Sequence, residues 1–331
     1  MSDYKVVHGT KVQNFSSDPP APFTGQVWYN TTTNTAKYFF VNPGSWATAN
    51  AINTARNNLA GLGTQTAALG FGGYTPGGNI QVATEIYNGT NWTEVNNLNT
   101  ARTSCISGTG TTSAGLTFGG YDGTNYSAKT ETWNGTNWTE VNDMNTGKVY
   151  SGGAGTNTAA LCFSGGTPAI TALTETWNGT NWTEVNDLNQ GRASTHGAGA
   201  SNTAAICFGG YVPDVPTERQ DLTELWNGTN WTEVNDMNVE RSSGMGMGTS
   251  TSALMIGGDR DSGSRTALTE SWNGTNWSTK SAMNSGRRQG SSSGANDTSA
   301  LVFAGEDASN AILALTEEWD AGDTTSTLGS E

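Results

Sequence analysis

Apolar residues along this chain come in runs of four or five, and the runs recur. Ala204-Ala205-Ile206-Cys207-Phe208 ends on Gly209-Gly210, and comparable runs end on glycine pairs at 72–73, 119–120, 165–166 and 257–258, with a decayed copy at Ala304-Gly305. Short apolar runs closed by glycine predict buried strands, not helices. About a dozen residues later a Glu-x-aromatic motif follows: Glu85/Tyr87, Glu131/Trp133, Glu175/Trp177, Glu224/Trp226, Glu270/Trp272 and Glu317/Trp319. Seven residues after five of those Glu comes a Trp, in Trp-Thr-Glu-Val at 92, 138, 182 and 231 and in Asn-Trp-Ser-Thr at 277; Trp46 is a diverged copy with no such Glu before it. Between Glu and Trp lies Asn-Gly-Thr-Asn, five times identical. Asn-Gly is a strong hairpin signal, because both residues tolerate positive φ. Ten residues after each Trp stands Arg56, Arg102, Arg192, Arg241 or Arg287, with Lys148 in the third copy. A small, glycine-rich segment such as Ala193–Gly197 follows. Each unit therefore predicts four short strands, here called a to d. In strand d the period of two puts Trp138 and Glu140 on one face, Thr139 and Val141 on the other.

Registered copies recurring about every 46 residues signal a repeat architecture. An apolar strand ending in Gly-Gly, a later aromatic, a Trp and a following Arg together resemble the kelch family over roughly residues 37–320. WD-type repeats have a similar period, but their Gly-His and Trp-Asp signatures are missing. This chain departs from the kelch pattern at Ala304-Gly305 and in using mostly Trp as the aromatic. The resemblance implies an all-β fold, a six-bladed kelch-like β-propeller, with seven blades the second choice. Strands a, b and c can be counted six times, yet no Trp-Thr-Glu-Val follows Trp319. The sixth strand d is therefore expected from the N-terminal side, at residues 45–50 around Trp46, closing the ring and removing its open edges. Tyr38-Phe39-Phe40 is a competing feature, an added outer strand or part of a seventh blade.

Composition sharpens this in three ways. Only 34% of the 331 residues are hydrophobic and 44 are Gly, which alone would suit disorder, but twelve Trp, recurring at fixed places, can supply a core. The net charge of −14, from 29 acids and 15 bases, offers no basic run for phosphate backbones or anionic membranes, so nucleic-acid binding is not expected. No apolar stretch reaches about 18 residues and no secretory-type apolar segment stands near Met1, so no membrane insertion is expected. Cys162 and Cys207 occupy one slot in successive repeats, which reads as small buried residues.

Length varies mainly in the b–c loop, where the step from the glycine pair to the Glu runs from 9 to 14 residues. Loops on a rigid scaffold commonly carry binding. Tyr121, Tyr211, Arg219, Asp259, Arg260 and Asp261 are the candidate binding residues, with Tyr211–Asp221 the longest loop. No catalytic, metal or cofactor site is expected. Some kelch-like propellers are copper oxidases, but only His8 and His196 are present, and copper needs several such ligands together. Asp259–Gly263 lacks the further acids of a calcium loop. Paired carboxylates could serve glycoside hydrolysis, yet Glu94, Glu140, Glu184 and Glu233 are repeat equivalents and read as structural. The recurring Arg and Glu are expected to form ionic rungs between blades. The Asn-Gly-Thr and Asn-Trp-Thr sites read as turns, not glycosylation sites, and the Trp as core, not sugar platforms.

Residues 1–36 stand outside the repeat. They contain Gly9–Asn14, then Asp18-Pro19-Pro20-Ala21-Pro22, then Gly25-Gln26-Val27-Trp28-Tyr29-Asn30-Thr31-Thr32. The last part, continuing to Lys37-Tyr38-Phe39 and Gly44-Ser45-Trp46, resembles a short β-meander of tailed-phage fibre and appendage proteins, especially marine ones. That resemblance implies a virion protein in several copies per particle. Its N-terminal segment would dock to other virion proteins, and its propeller would decorate the particle or meet a host-surface glycan or protein. The expected organisation is a docking segment at 1–36, a propeller at 37–320 and a flexible tail at 321–331. A cellular or secreted kelch-type interaction module, extracellular or cytoplasmic, and a carbohydrate-active enzyme or oxidase are the alternatives.

Overall fold

The computed structural model describes residues 12–23, 25–104, 108–215, 218–260 and 263–327. Among them every regular element is a strand. The chain forms two compact units, residues 45–320 and residues 1–44 with 321–331. Two strands, Thr35–Ala49 and Thr316–Thr327, cross that division, and each unit is described with its own part of them.

The larger unit is a set of repeated antiparallel sheets. The first runs Ala60–Thr64, Ala67–Phe71, Thr84–Tyr87, Trp92–Val95, and the next four follow the same order: Gly108–Thr111 to Trp138–Val141, Gly152–Gly155 to Trp182–Val185, His196–Ser201 to Trp231–Glu233, and Met245–Thr249 to Trp277–Lys280. A sixth begins with Ser291–Asn296 and Ser299–Phe303, continues in residues 316–320, and has residues 45–49 as its outermost strand. A seventh, two-stranded sheet pairs Gly166–Thr167 with Ala169–Ile170. Innermost strands of the six larger sheets line a common central channel. Their glycines allow this crowding: a Cβ on Gly197 would lie 2.6 Å from the Gly153 carbonyl oxygen of the neighbouring sheet, and one on Gly108 2.7 Å from that of Gly61.

Adjacent sheets are joined by the same contacts each time. The outer-strand Trp donates its Nε1 hydrogen to the Thr that opens the third strand of the preceding sheet: Trp92 to Thr316, Trp138 to Thr84, Trp182 to Thr130, Trp231 to Thr174, Trp277 to Thr223 and Trp46 to Thr269, all at 3.0–3.2 Å. Five of these indoles also receive a Phe of the preceding sheet, with ring centroids 4.7–5.0 Å apart. Burying a Trp at each junction, with a Phe at five of the six, contributes about 25 cal/mol per Å² of apolar surface removed from water, while the indole N–H keeps a partner.

Three expectations change here. The Arg–Glu pairs are not rungs between sheets. Arg56–Glu85, Arg102–Glu131, Arg192–Glu224 and Arg241–Glu270 pair at 2.7–2.8 Å within one repeat, Arg287–Glu317 and Lys148–Glu175 at 3.1 and 3.3 Å, all buried. The same Glu accepts a backbone N–H from the segment leading into its sheet, as Glu85 does from Asn53 at 2.7 Å and Glu131 from Asn99 at 2.8 Å. The pair thus fastens each connection onto the third strand. Tyr38-Phe39-Phe40 belongs to the same strand as Trp46, with Tyr38 opposite Val27. The third glycine pair is displaced by one residue: Ser164 and Gly165 hold the left-handed positions, at φ 62° and 94°.

In the smaller unit, Gln13–Phe15 runs parallel to Val27–Asn30, which pairs antiparallel with the strand from Thr35. Asp18 ties it together, accepting from Trp28 Nε1 at 3.1 Å, Asn30 Nδ2 at 2.9 Å and Lys37 Nζ at 2.7 Å. These three donors, Lys37 foremost, hold the carboxyl down at about 2. Residues 321–327, expected as a tail, are strand; His8 and 9–11 of the leader motif lie outside the described residues.

Candidate functional site

The loops between second and third strands gather at one end of the 45–320 unit. Each is held by bridges that join the residue after the Arg or Lys to the residue after the glycine pair: Asn57 to Tyr74, Thr103 to Tyr121, Val149 to Gly166, Ala193 to Tyr211, Ser242 to Asp259 and Arg288 to Glu306. Of the candidate residues, Tyr121, Tyr211 and Asp259 therefore occupy one slot in three different sheets. The structure does not gather the set into a single pocket.

Tyr121 donates its hydroxyl to the Gly123 carbonyl at 2.9 Å and meets Tyr126 edge-on at 6.1 Å. Arg219 lies over the Tyr211 ring at 5.1 Å and pairs with Glu218 at 3.2 Å. Asp259 is buried. Its carboxylate takes Arg288 at 2.7 Å and lies 3.8 Å from Arg265. Glu306 completes this cluster, accepting from Arg288 at 2.8 Å, Arg265 at 2.9 Å and Asn57 at 2.9 Å. Burial pushes the Glu306 carboxyl up, but the Arg288 and Arg265 hydrogen bonds outweigh it and leave it below its ordinary value. Arg260 faces solvent and pairs with Glu240 at 3.4 Å. Asp261 lies outside the described residues.

Inside these loops runs a belt that no sequence motif announced. Asn58, Ser104, Tyr150, Ser194, Ser243 and Gln289, each two residues after the Arg or Lys, all adopt left-handed backbone at φ 52–56°. Their backbones close a cycle. Asn58 N–H donates to Gln289, Gln289 to Ser243, Ser243 to Ser194, Ser194 to Tyr150, Tyr150 to Ser104 and Ser104 to Asn58, at 2.7–3.3 Å. The belt lies near the channel, a cavity of about 140 Å³ lined largely by glycine and by His196, Met245, Met247 and Ser291–Ser293. His196 is 2% exposed, and its Nε2 has no hydrogen-bond partner. Burial, helped by the Arg241 charge, pushes its pKa down to about 3, so the ring is neutral.

Cys162 and Cys207 are buried free thiols. Burial pushes the Cys207 thiol up to about 11, so it is not poised as a nucleophile. Among the described residues no group of three or more His, Cys, Asp or Glu is placed to hold a metal ion.

No family model matches the chain, and no curated protein matches it. Among solved structures, one titled "Structure of YjhT" aligns with 84% of this chain and 99% of its own length, at a TM-score of 0.66 and 13% identity. At that identity the likeness concerns the fold alone. It is a propeller-type fold, in agreement with the repeated four-stranded sheets.

Proposed function

We propose that this chain is a non-catalytic virion structural protein of a phage. Its repeat unit contacts the host surface or decorates the particle, and its N-terminal segment attaches to other virion proteins. The observation that carries this reading is the separate compact unit built on the leader motif: Trp28 and Asn30 of Val27–Asn30 are pinned by Asp18. Phe23 and Val27 of that unit are exposed, at 69% and 42%, as an attachment surface requires. The loop end of the other unit carries tyrosines, ion pairs and neutral hydrogen-bonding side chains suited to a polar surface. Mass spectrometry of purified particles tests the reading: the chain should be present at several copies, and its absence sinks the proposal. Shortening the Tyr211–Asp221 loop should weaken binding of the particle to intact cells; unchanged binding favours decoration.

The repeat unit is read as a six-bladed kelch-type ring, with the Gly166–Ile170 ribbon a hairpin of one b–c loop. Trp46 supplies the last outer strand: it has the Trp-to-Thr bond of the other five, and Asn50 repeats the contact of Asn96 with the neighbouring Asn-Gly-Thr-Asn turn. Trp46→Ala should lower unfolding free energy by about 3–5 kcal/mol. A melting temperature unchanged by that substitution refutes closure at Trp46.

A further inference from the structure

The belt positions combine two facts that ordinarily exclude each other. Left-handed backbone favours glycine, and an L side chain there is strained. This chain has 44 glycines and uses one in none of these six places. Instead it places Asn, Ser, Tyr, Ser, Ser and Gln there. Every one is uncharged, and every one can both donate and accept a hydrogen bond. A second, independent observation points the same way. His196 lines both the channel and a smaller cavity walled by Asn58, Tyr150, Ser243 and Gln289. Its buried Nε2 has no hydrogen-bond partner within the protein, so that nitrogen is open to a ligand's hydrogen bond.

We infer that the belt side chains and His196 form a collar that binds the terminal unit of a neutral saccharide at the channel mouth. This deepens the host-surface reading above and rests on it for the source of the glycan, though not for the chemistry. A sugar hydroxyl donates and accepts at once, matching the side chains of Asn58, Tyr150, Ser243 and Gln289 that wall the smaller cavity. No charged side chain stands at a belt position, so an anionic sugar finds no counter-ion in the collar. A peptide adding itself as a strand is disfavoured, because the belt N–H and carbonyl groups are already joined to one another. Tyr150, the one aromatic residue of the belt, walls the smaller cavity beside His196.

The substitutions that remove the collar need not harm the fold. Ser194→Gly, Ser243→Gly and Gln289→Gly delete side chains where glycine is the residue the backbone prefers, so the triple variant should melt within about 4 °C of the parent or above it. His196→Met copies Met245, which fills the same place in the next sheet. The purified full chain is titrated with glucose- and galactose-terminated neutral trisaccharides, a sialylated trisaccharide and an uncharged decapeptide, read by calorimetry and saturation-transfer NMR. At least one neutral trisaccharide should saturate. Its affinity should fall by about tenfold or more in the glycine triple variant and again in His196→Met, a tenfold step being one lost hydrogen-bonding interaction. No neutral saccharide binding, unchanged affinity in the triple variant, or equal binding of the sialylated sugar or the peptide each overturns the inference. Any of those results leaves the chain's presence in particles unaffected, and absence from particles leaves the titration unaffected.

Discussion

One backbone slot, the residue after the glycine pair, holds Tyr74, Tyr121 and Tyr211 in the first, second and fourth sheets but Asp259 and Glu306 in the fifth and sixth. The two groups solve the slot differently. Asp259 and Glu306 are buried and face Arg265, Arg288 and Asn57. The tyrosines are less buried, and two of them pair with a second ring or a guanidinium, Tyr121 with Tyr126 and Tyr211 with Arg219. Chemistry turned inward stiffens the loops that carry it. Chemistry that keeps a face toward solvent is available to a ligand. The scaffold is the same in both, so sequence change at one slot decides whether a repeat contributes stability or recognition.

The charged group should therefore be the costly one to disturb. Glu306→Ala removes the acceptor shared by Arg265, Arg288 and Asn57 and leaves Asp259 as the one carboxylate beside both cations. The expected loss is about 2–4 kcal/mol of unfolding free energy, read by denaturant unfolding. A loss below about 1 kcal/mol, the range of exposed pairs, would place the cluster with surface ion pairs and erase the contrast.

Acid separates the cluster from His196. The pKa of His196 is depressed in the folded protein, so the unfolded chain takes the proton first as pH falls. Its contribution is intact above about 6.5 and is lost between there and about 3, at about 1.4 kcal/mol per pH unit. Glu306 is also depressed, but from 4.5; its contribution is present above that value and is lost only as pH falls through the lower folded pKa. Between pH 6.5 and 5, His196→Met should therefore flatten the stability curve by about 2 kcal/mol, while Glu306→Ala should leave its slope unchanged. Parallel curves for the parent and His196→Met would mean that His196 is not held neutral.

The repeat makes the strands and the outer framework legible in the sequence alone. Trp, Glu and Arg recur in register because each contact they make is repeated. Their partners are harder to read, because a repeat shows that Arg56 and Glu85 matter without showing whether they meet within a sheet or across two. The same ambiguity hides the shift at Ser164-Gly165-Gly166, where a neighbouring glycine completes a false pair. At the candidate site, the tyrosines and charges of the b–c loops point to Tyr121, Tyr211, Arg219, Asp259 and Arg260. That reading passes over Arg288, which precedes the innermost strand of its sheet, and Glu306, whose loop is as long as that of Asp259. The belt escapes a sequence reading because conformation carries its signal, and its one trace in the sequence is the absence of glycine two residues after each Arg or Lys.

The smallest effect should come from the open face. Tyr126 is 42% exposed, and its ring touches Tyr121 edge-on. Tyr126→Ala gives up one exposed aromatic pair, worth about 0.5–1.5 kcal/mol at most, and leaves the bridge between Thr103 and Tyr121 in place because that bridge is backbone. Unfolding should shift by less than about 1 kcal/mol, whereas affinity for any ligand that stacks on this side should fall measurably. A stability loss as large as that of Glu306→Ala would mean that the tyrosines are framework too. Unchanged stability with unchanged binding would confine recognition to the belt and leave the tyrosine slot as tolerated variation on a stable ring.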